Sequence, residues 1–436
     1  MKKKILIGVF LVWILFNFSL AQDISPQKIL TIEECVQIGL KNSYLVRSAE
    51  QGYNAAKWEL VGAWSNFLPY ARASFNWDRS DISMWRYIEG QGLIDNTTNY
   101  SWSFGLSQNL FDGGYSFANY NSKRSSKLSA KDDLKLARQE TVLKVKQNCY
   151  ELLKAKMLYD LQKEAVKRSE EQLNMAKARF DLGSASLSDY LKAKVQLGED
   201  SLALITYENN VRLAQATLNA TLGLDIGTPI KVAEKLEEYK EFEADLNQMI
   251  KEALAEHPKI DRAKMGKNRA HSGITMARSQ RLPKVTFSLG YSWSNWEFPD
   301  TWNEYRGVFD PWGMRLNISL NIFDGFSITS QVQSAKAFYY QAQENLKQKK
   351  RETELEIRQA FLKVKEGEQK IRVAETALKA AEEDMKLTQE KYNLGAASML
   401  ELLDANVSYK RAKNNQVESL YDYNLAIAQL EKAIGK

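Results

Sequence analysis

Phe180-Asp-Leu-Gly-Ser-Ala-Ser-Leu-Ser-Asp-Tyr-Leu191 returns 212 residues later as Tyr392-Asn-Leu-Gly-Ala-Ala-Ser-Met-Leu-Glu-Leu-Leu403. Leu182/Leu394, Gly183/Gly395, Ala185/Ala397, Ser186/Ser398 and Leu191/Leu403 are identical pairs. Each copy lies between two long helical patterns, so it reads as the tip of a helical hairpin. Gly supplies the left-handed residue that ends the incoming helix, and Ser three positions on caps the outgoing one. The same offset relates Asn109-Leu-Phe-Asp-Gly113 to Asn321-Ile-Phe-Asp-Gly325, and Leu222-Gly223 to Ile434-Gly435. The chain therefore reads as two copies of one unit, which outranks what its 436 residues alone suggest about domain number.

Outward from the tips, residues 114–182 carry an uninterrupted helical pattern, roughly 100 Å long at 1.5 Å per residue. Val142, Val145, Cys149, Leu152 and then Leu173, Ala176, Phe180 fall at coiled-coil spacing. Leu143, Leu153, Leu158 and Tyr159 lie off that stripe, as helices flanked on both sides in a ring require. The return helices, 186–222 and 398–434, are about half as long. Shorter helical patterns at 31–66 and 246–281 would fill the remaining length, each ended by a proline, Pro69 or Pro283.

After each proline the period changes to two. Ala71, Ala73, Phe75, Trp77; Tyr100, Trp102, Phe104, Leu106; Val285, Phe287, Leu289, Tyr291, Trp293; and Trp312, Met314, Leu316, Ile318, Leu320, Ile322 alternate with small polar residues. These are four strands with one apolar and one polar face. Their length, terminal aromatics and mostly small, uncharged polar faces fit bilayer-spanning strands; a soluble sheet packed on a core is the other reading. Four strands cannot close a barrel, and an open edge in lipid leaves backbone groups unpaired. The membrane reading thus demands a barrel shared between chains. Residues 79–98 and 295–311 read as loops, with Gly90, Gly92, Pro299 and Pro311 as turn formers. Asp112-Gly113 and Asp324-Gly325 read as strand-to-helix junctions, with Asp as the helix N-cap.

Lys2–Lys4, the apolar run Ile5–Phe18 and Ser-Leu-Ala21 read as a secretory signal, the alternative being a retained anchor helix. Without those lysines the formal charge falls from +6 to +3, too mild to argue for nucleic acid. Cys35 and Cys149 could pair in an oxidising compartment, or be buried as small hydrophobes.

The paired Leu-Gly-x-x-Ser tips, the two Phe-Asp-Gly junctions, the Leu-Gly-x-x-x-Gly-Thr-Pro segment at 222–229, the β-hairpins and the signal together resemble TolC-type outer-membrane efflux proteins. The likeness spans essentially the whole mature chain. It implies a mixed fold, a membrane β-barrel on a long α-helical coiled-coil barrel, with two structural repeats and four β-strands per chain. A homotrimer would make a 12-stranded barrel and a periplasmic tunnel. The units run from 22 to 223 (β-hairpin about 69–110, helical hairpin about 114–222) and from 248 to 436 (about 283–323 and 326–435), joined by a linker at 224–247.

The resemblance further implies an exit duct in the outer membrane of a Gram-negative bacterium. Its partners would be outer-membrane lipid, a periplasmic adaptor and an inner-membrane pump of RND or ABC type, with no nucleic acid. Asp189, beside Ser188, and Tyr392 match a pairing position of the closed entrance. Glu401 and Asp404 match two ring carboxylates; on composition alone they are a solvated helix face. Leu182, Gly183, Ser186, Leu394, Gly395 and Ser398 match the tip that receives the adaptor. Ala397 departs from the pattern, standing where some members place a gate arginine.

His257 and His271 are the only histidines, and no metal-ligand spacing, nucleophile motif or nucleotide-binding motif accompanies them. No cofactor and no turnover are expected. The same duct could serve type I protein secretion. A periplasmic coiled-coil scaffold without a pore, and a soluble binding protein using 224–247, are further readings.

Overall fold

The computed structural model describes residues 29–81, 87–88, 92–93, 96–233, 242–295, 298 and 312–435. The expected signal segment and the turn formers Gly90, Pro299 and Pro311 lie outside them.

The short strand β1 (Ile29–Leu30) leads into α1 (Ile32–Asn42). A capping box starts this helix: the Glu34 amide donates to Thr31 Oγ1 at 3.2 Å and the Thr31 amide to Glu34 Oε2 at 2.9 Å. The pattern over 31–66 predicts one helix, but there are two. Ser43, with ψ 122°, leaves the helical region, and its hydroxyl accepts from the Val46 amide to start α2 (Tyr44–Trp64). A short 3₁₀ turn, Ser65–Phe67, follows.

Strand β2 (Tyr70–Asp81) pairs antiparallel with the 16-residue β5 (Asn96–Phe111). Between them a small hairpin, β3 (Tyr87–Ile88) with β4 (Gly92–Leu93), occupies part of the segment read as loop. Next come α3 (Tyr115–Asp181), 67 residues long, and α4 (Leu187–Leu222). The parallel pairing of β6 (Lys231–Val232) with β1 ties the inter-repeat segment to the chain's start.

The second half repeats the plan. α5 (Leu246–Glu256) ends at His257, where Pro258 forces an extended backbone, and α6 (Pro258–Ser279) begins on that proline. β7 (Lys284–Asn295) and β8 (Trp312–Ser319) form the second β-hairpin. The 67-residue α7 (Ser327–Asn393) and α8 (Met399–Ala433) form the second helical one. β8 stops three residues short of the expected Ile322, because β7 starts only after Pro283 and its last pairing is Lys284 with Ser319.

The four long strands form one sheet in the order β2-β5-β7-β8, so the two repeats join at β5 and β7. Its register sorts the side chains completely. Ala71, Leu106, Leu289 and Met314 lie in one row, and Ala73, Phe104, Tyr291 and Trp312 in another row of that face. The opposite face is mostly Ser, Asn, Thr and Gly, with Arg72, Asp78, Lys284 and Arg315 as its charged residues and Tyr70 at its end. Among the described strands β2 and β8 each have a single neighbour.

α3 packs on α4, α2, α6 and α8, and α7 on α8 and α6. α4 and α8 are half the length of their partners, and their ends rest on the breaks in the shorter helices. Asn42 Nδ2 donates to the Leu222 carbonyl at 3.1 Å, and a Cβ on Gly223 (φ +67°) would lie 2.9 Å from Asn42 Cβ. In the second half a Cβ on Gly435 (φ +89°) would lie 3.3 Å from His257 Cδ2.

The largest apolar cluster sits at the first of these joints. Leu30, Cys35, Val145, Cys149, Leu152, Leu218, Leu222 and Ile230 are buried there. Both cysteines are buried thiols in this cluster, packed as small hydrophobes. Among the described residues no helix is long and apolar enough to cross a membrane.

Gly223→Ala should therefore be worse than Gly183→Ala. Both positions have positive φ, worth roughly 1–2 kcal/mol of strain, but a Cβ at Gly183 meets nothing within 4 Å. The expected order of thermal unfolding temperatures is wild type, then Gly183→Ala, then Gly223→Ala; equal losses would remove the end-on contact as a constraint.

Candidate functional site

Both hairpin tips close by the same bonds. The Gly183 amide donates to the Phe180 carbonyl at 2.9 Å and the Ser184 amide to the Arg179 carbonyl at 2.8 Å. Gly395 donates to Tyr392 at 3.1 Å and Ala396 to Lys391 at 2.8 Å. Gly183 and Gly395 share φ +74°. Ser186 and Ser398 each start the outgoing helix with a capping box: Asp189 N to Ser186 Oγ is 3.2 Å, and Glu401 N to Ser398 Oγ is 3.3 Å. Leu182 and Leu394 stand 83% and 85% exposed, large aliphatic side chains left in water at the end of each hairpin.

The site residues divide accordingly. Asp189 is half-buried, and its Oδ2 accepts from the Ser186 hydroxyl at 2.8 Å; Ser188 beside it is exposed. Tyr392 is 4% exposed, packed with Ala176, Ala193, Met399 and Leu402. Within the chain its partner is Arg179. The guanidinium lies 4.5 Å from the Tyr392 ring centroid and donates to the Tyr392 and Asn393 carbonyls, each at 3.0 Å. A cation there satisfies the last carbonyls of α7 and complements its dipole.

Glu401 and Asp404 are both exposed, one turn apart on α8. The Ser398 amide, donating to Glu401 Oε2 at 2.7 Å, and then the Ser398 hydroxyl hold the Glu401 carboxyl below its ordinary range. Asp404 has no such tie among the described residues.

At the other end of the long helices the Asp of each Phe-Asp-Gly is not the N-cap but stands two residues upstream of it. The N-cap positions are Gly114 and Phe326, both left-handed. Asp112 Oδ2 accepts from the Ser116 amide at 2.9 Å, and Asp324 Oδ2 from the Ile328 amide at 2.5 Å. The aspartates still satisfy a free helix N–H, reaching over the turn made by Gly113 (φ +68°) and Gly325 (φ +65°). A Cβ on Gly113 would lie 2.5 Å from the Ser279 carbonyl, so α6 closes directly on the first junction.

Midway between tip and joint, Asp200 of α4 is 4% exposed. It accepts from Ser169 Oγ at 2.5 Å, Lys410 Nζ at 2.9 Å, Gln196 at 3.0 Å and Gln162 at 3.1 Å. Burial pushes its pKa up, but the bonds from Ser169, Lys410, Gln196 and Gln162 together outweigh that and hold it below the carboxylate range. Lys410 comes from α8, so this network ties the first helical hairpin to the second. Among the described residues no group of three or more His, Cys, Asp or Glu is placed to hold a metal ion.

The outer membrane efflux protein family matches residues 36–224 and 249–436, one match to each half. The chain belongs to that family. TolC of Vibrio cholerae is 22% identical over 339 residues, covering 75% of this chain and 77% of that protein. Protein CyaE of Bordetella pertussis is 26% identical over 389 residues, covering 89% and 80%. The Campylobacter jejuni CmeC outer membrane channel superposes with a TM-score of 0.82 at 19% identity, over 93% of this chain and 85% of that one. This is thus a TolC-type protein of the outer membrane that extends into the periplasm, and its family and fold are those of channels rather than of enzymes.

Sequence reading does not find Arg179, Asp200 or Lys410. A signal for the network is present in Gln162 and Ser169, polar residues seven apart on an otherwise apolar stripe. Arg179 gives none, since its partners lie 213 and 214 residues away.

Lys410→Met leaves the buried Asp200 carboxylate short of its one cation among the described residues and should cost about 2–4 kcal/mol. Asp200→Asn with Lys410→Met should regain much of that, as read by thermal unfolding. Because the folded pKa of Asp200 is depressed, its stabilisation is full above the ordinary carboxylate pKa and fades as pH falls below it. Wild type should lose this increment only under acid, and the double variant should show less of that loss.

Proposed function

We propose that this protein is the outer-membrane exit duct of a tripartite efflux system, passively conducting substrates delivered by an inner-membrane pump through a periplasmic adaptor. The observation that carries the reading is the four-stranded sheet, apolar on one face, with the outer edges of its two edge strands unpaired among the described residues. Three copies would place β8 of each beside β2 of the next and close twelve strands without an edge. The two repeats would then supply alternate hairpins of one barrel, with the described parts of the linker, 224–233 and 242–247, folded against the tunnel.

The helical flanks support the same closure. Leu191, Val195, Leu202 and Ile205 line one exposed stripe of α4, and Leu355, Leu362, Val373 and Leu387 are exposed on α7. These helices lie at opposite flanks of the chain, and in a ring each faces the other on the neighbouring copy. The tips would form the entrance. Asp404 and Glu401 would line it as acidic rings, Asp189, Ser188 and Tyr392 would lie at the contact between neighbours, and the exposed Leu182 and Leu394 beside Gly183, Ser186, Gly395 and Ser398 would meet the adaptor.

Light scattering on the detergent-extracted protein should give a protein mass near three chains. A monomer that needs no detergent would sink the shared barrel. Deletion of the gene should sensitise cells to small toxic compounds; unaltered sensitivity with loss of a secreted polypeptide from the medium selects the type I secretion reading instead. Replacing Glu401 and Asp404 with Gln and Asn should weaken block of single-channel current by multivalent cations, and unchanged block would take them out of the constriction. Arg179→Ala, by freeing the last turn of α7, should raise resting conductance.

A further inference from the structure

The polar face of the sheet can be followed row by row. Tyr70, Ser107, Ser288 and Arg315 form one row; two residues further along each strand lie Arg72, Gly105, Gly290 and Gly313. Beyond them come Ser74, Ser103 and Ser292, then Asn76, Ser101 and Ser294. Three glycines side by side in mid-strand weaken a sheet, by roughly 0.5–1 kcal/mol each relative to alanine.

Nothing in the backbone asks for them. None of the three has positive φ. A Cβ at Gly105 or Gly290 would meet only a carbonyl oxygen, at 4.0 or 3.8 Å, and one at Gly313 would meet nothing within 4 Å. What the glycines achieve is a row of the polar face cleared of every side chain but Arg72.

Arg72 and Arg315 are exposed, and among the described residues neither has a carboxylate at ion-pair distance. The same face carries Lys284 towards the helical end. Its carboxylate, Asp78, stands six residues beyond Arg72, about 20 Å away at strand rise.

We propose that Arg72 and Arg315 form an anion-attracting belt inside the barrel, which favours passage of small solutes bearing carboxylate, sulfonate or phosphate groups. The belt rests on the closure of three sheets proposed above. Six guanidinium groups then lie in two layers about 7 Å apart, beside a band with no side chains to screen or obstruct them. Guanidinium stays charged, is weakly hydrated and offers paired N–H donors to an oxyanion. Inside a narrow lumen its field is focused rather than dispersed, and rings of arginine select anions in pores.

The test uses the purified protein in a planar bilayer, with tripolyphosphate added from the barrel side. Wild type should be blocked, and Arg72→Gln with Arg315→Gln should weaken the block about tenfold or more and shift the reversal potential in a KCl gradient towards cations. Arg72→Lys with Arg315→Lys should retain most of the block. Gly313→Glu keeps both arginines and fills open space; it should weaken the block as well. Channels whose block and reversal potential are unchanged in both the Gln and the Glu variants would overturn the belt, leaving the glycines as a curvature device. A wild type that forms no channels would overturn the shared barrel, and the belt with it.

Discussion

A row of backbone N–H and C=O groups along a strand edge cannot be left in hydrocarbon, and this chain has two such edges. Each unpaired group would cost several kcal/mol in lipid, so the proposed membrane barrel needs the outer edges of β2 and β8 to be met by another copy. The helices inherit the requirement. In the proposed closure, where β2 and β8 meet between copies, the helices beneath them would be drawn into the same ring, and α4 and α7 would lie flank to flank. Their exposed aliphatic stripes are then buried rather than wasted, which a lone hairpin pair would not achieve.

Within the chain the problem is different: helices of unequal length must fill a tube of constant girth. The solution is to stack short helices end to end beside long ones, with a break wherever two ends meet. Ser43 and His257 are those breaks, each capping the helix that follows, and Gly223 and Gly435 end the helices that abut them. Leu30 and Ile230 plug the first joint from outside the helices. Away from the first joint α3 buries mainly alanine and small polar residues, so a buried charge such as Asp200 fixes which hairpin lies where. A paired buried charge contributes little net stability, but its misplacement is heavily penalised.

The fold was legible because its signals are local or repeated: a 212-residue offset, a period that switches from helical to two, and prolines at the switch. The misses share a cause. Ser43 breaks a helix through its hydroxyl and backbone, where no proline or glycine marks the spot, whereas Pro258 announces the matching break. Asp112 and Asp324 sit two residues upstream of the N-cap because a left-handed pair, Gly113-Gly114 or Gly325-Phe326, precedes each helix, and the second copy uses Phe326 there, against residue preference. Arg179 and Asp200 act across the two repeats, and no periodicity within one repeat can pair residues some 210 positions apart.

The two acids at the second tip are also less alike than their spacing suggests. Glu401 is the reciprocal partner of a helix cap, so its charge already serves the first turn of α8, and neutralising it disturbs both the helix start and any field in the lumen. Asp404 has no structural task in the described chain. If the entrance attracts cations through this helix face, Asp404 is where the electrostatic effect is separable from folding. Asp189 repeats the arrangement of Glu401 in the first tip, bound to its own cap serine. In the proposed closed entrance, a contact from Asp189 to a neighbouring copy would therefore have to compete with that bond.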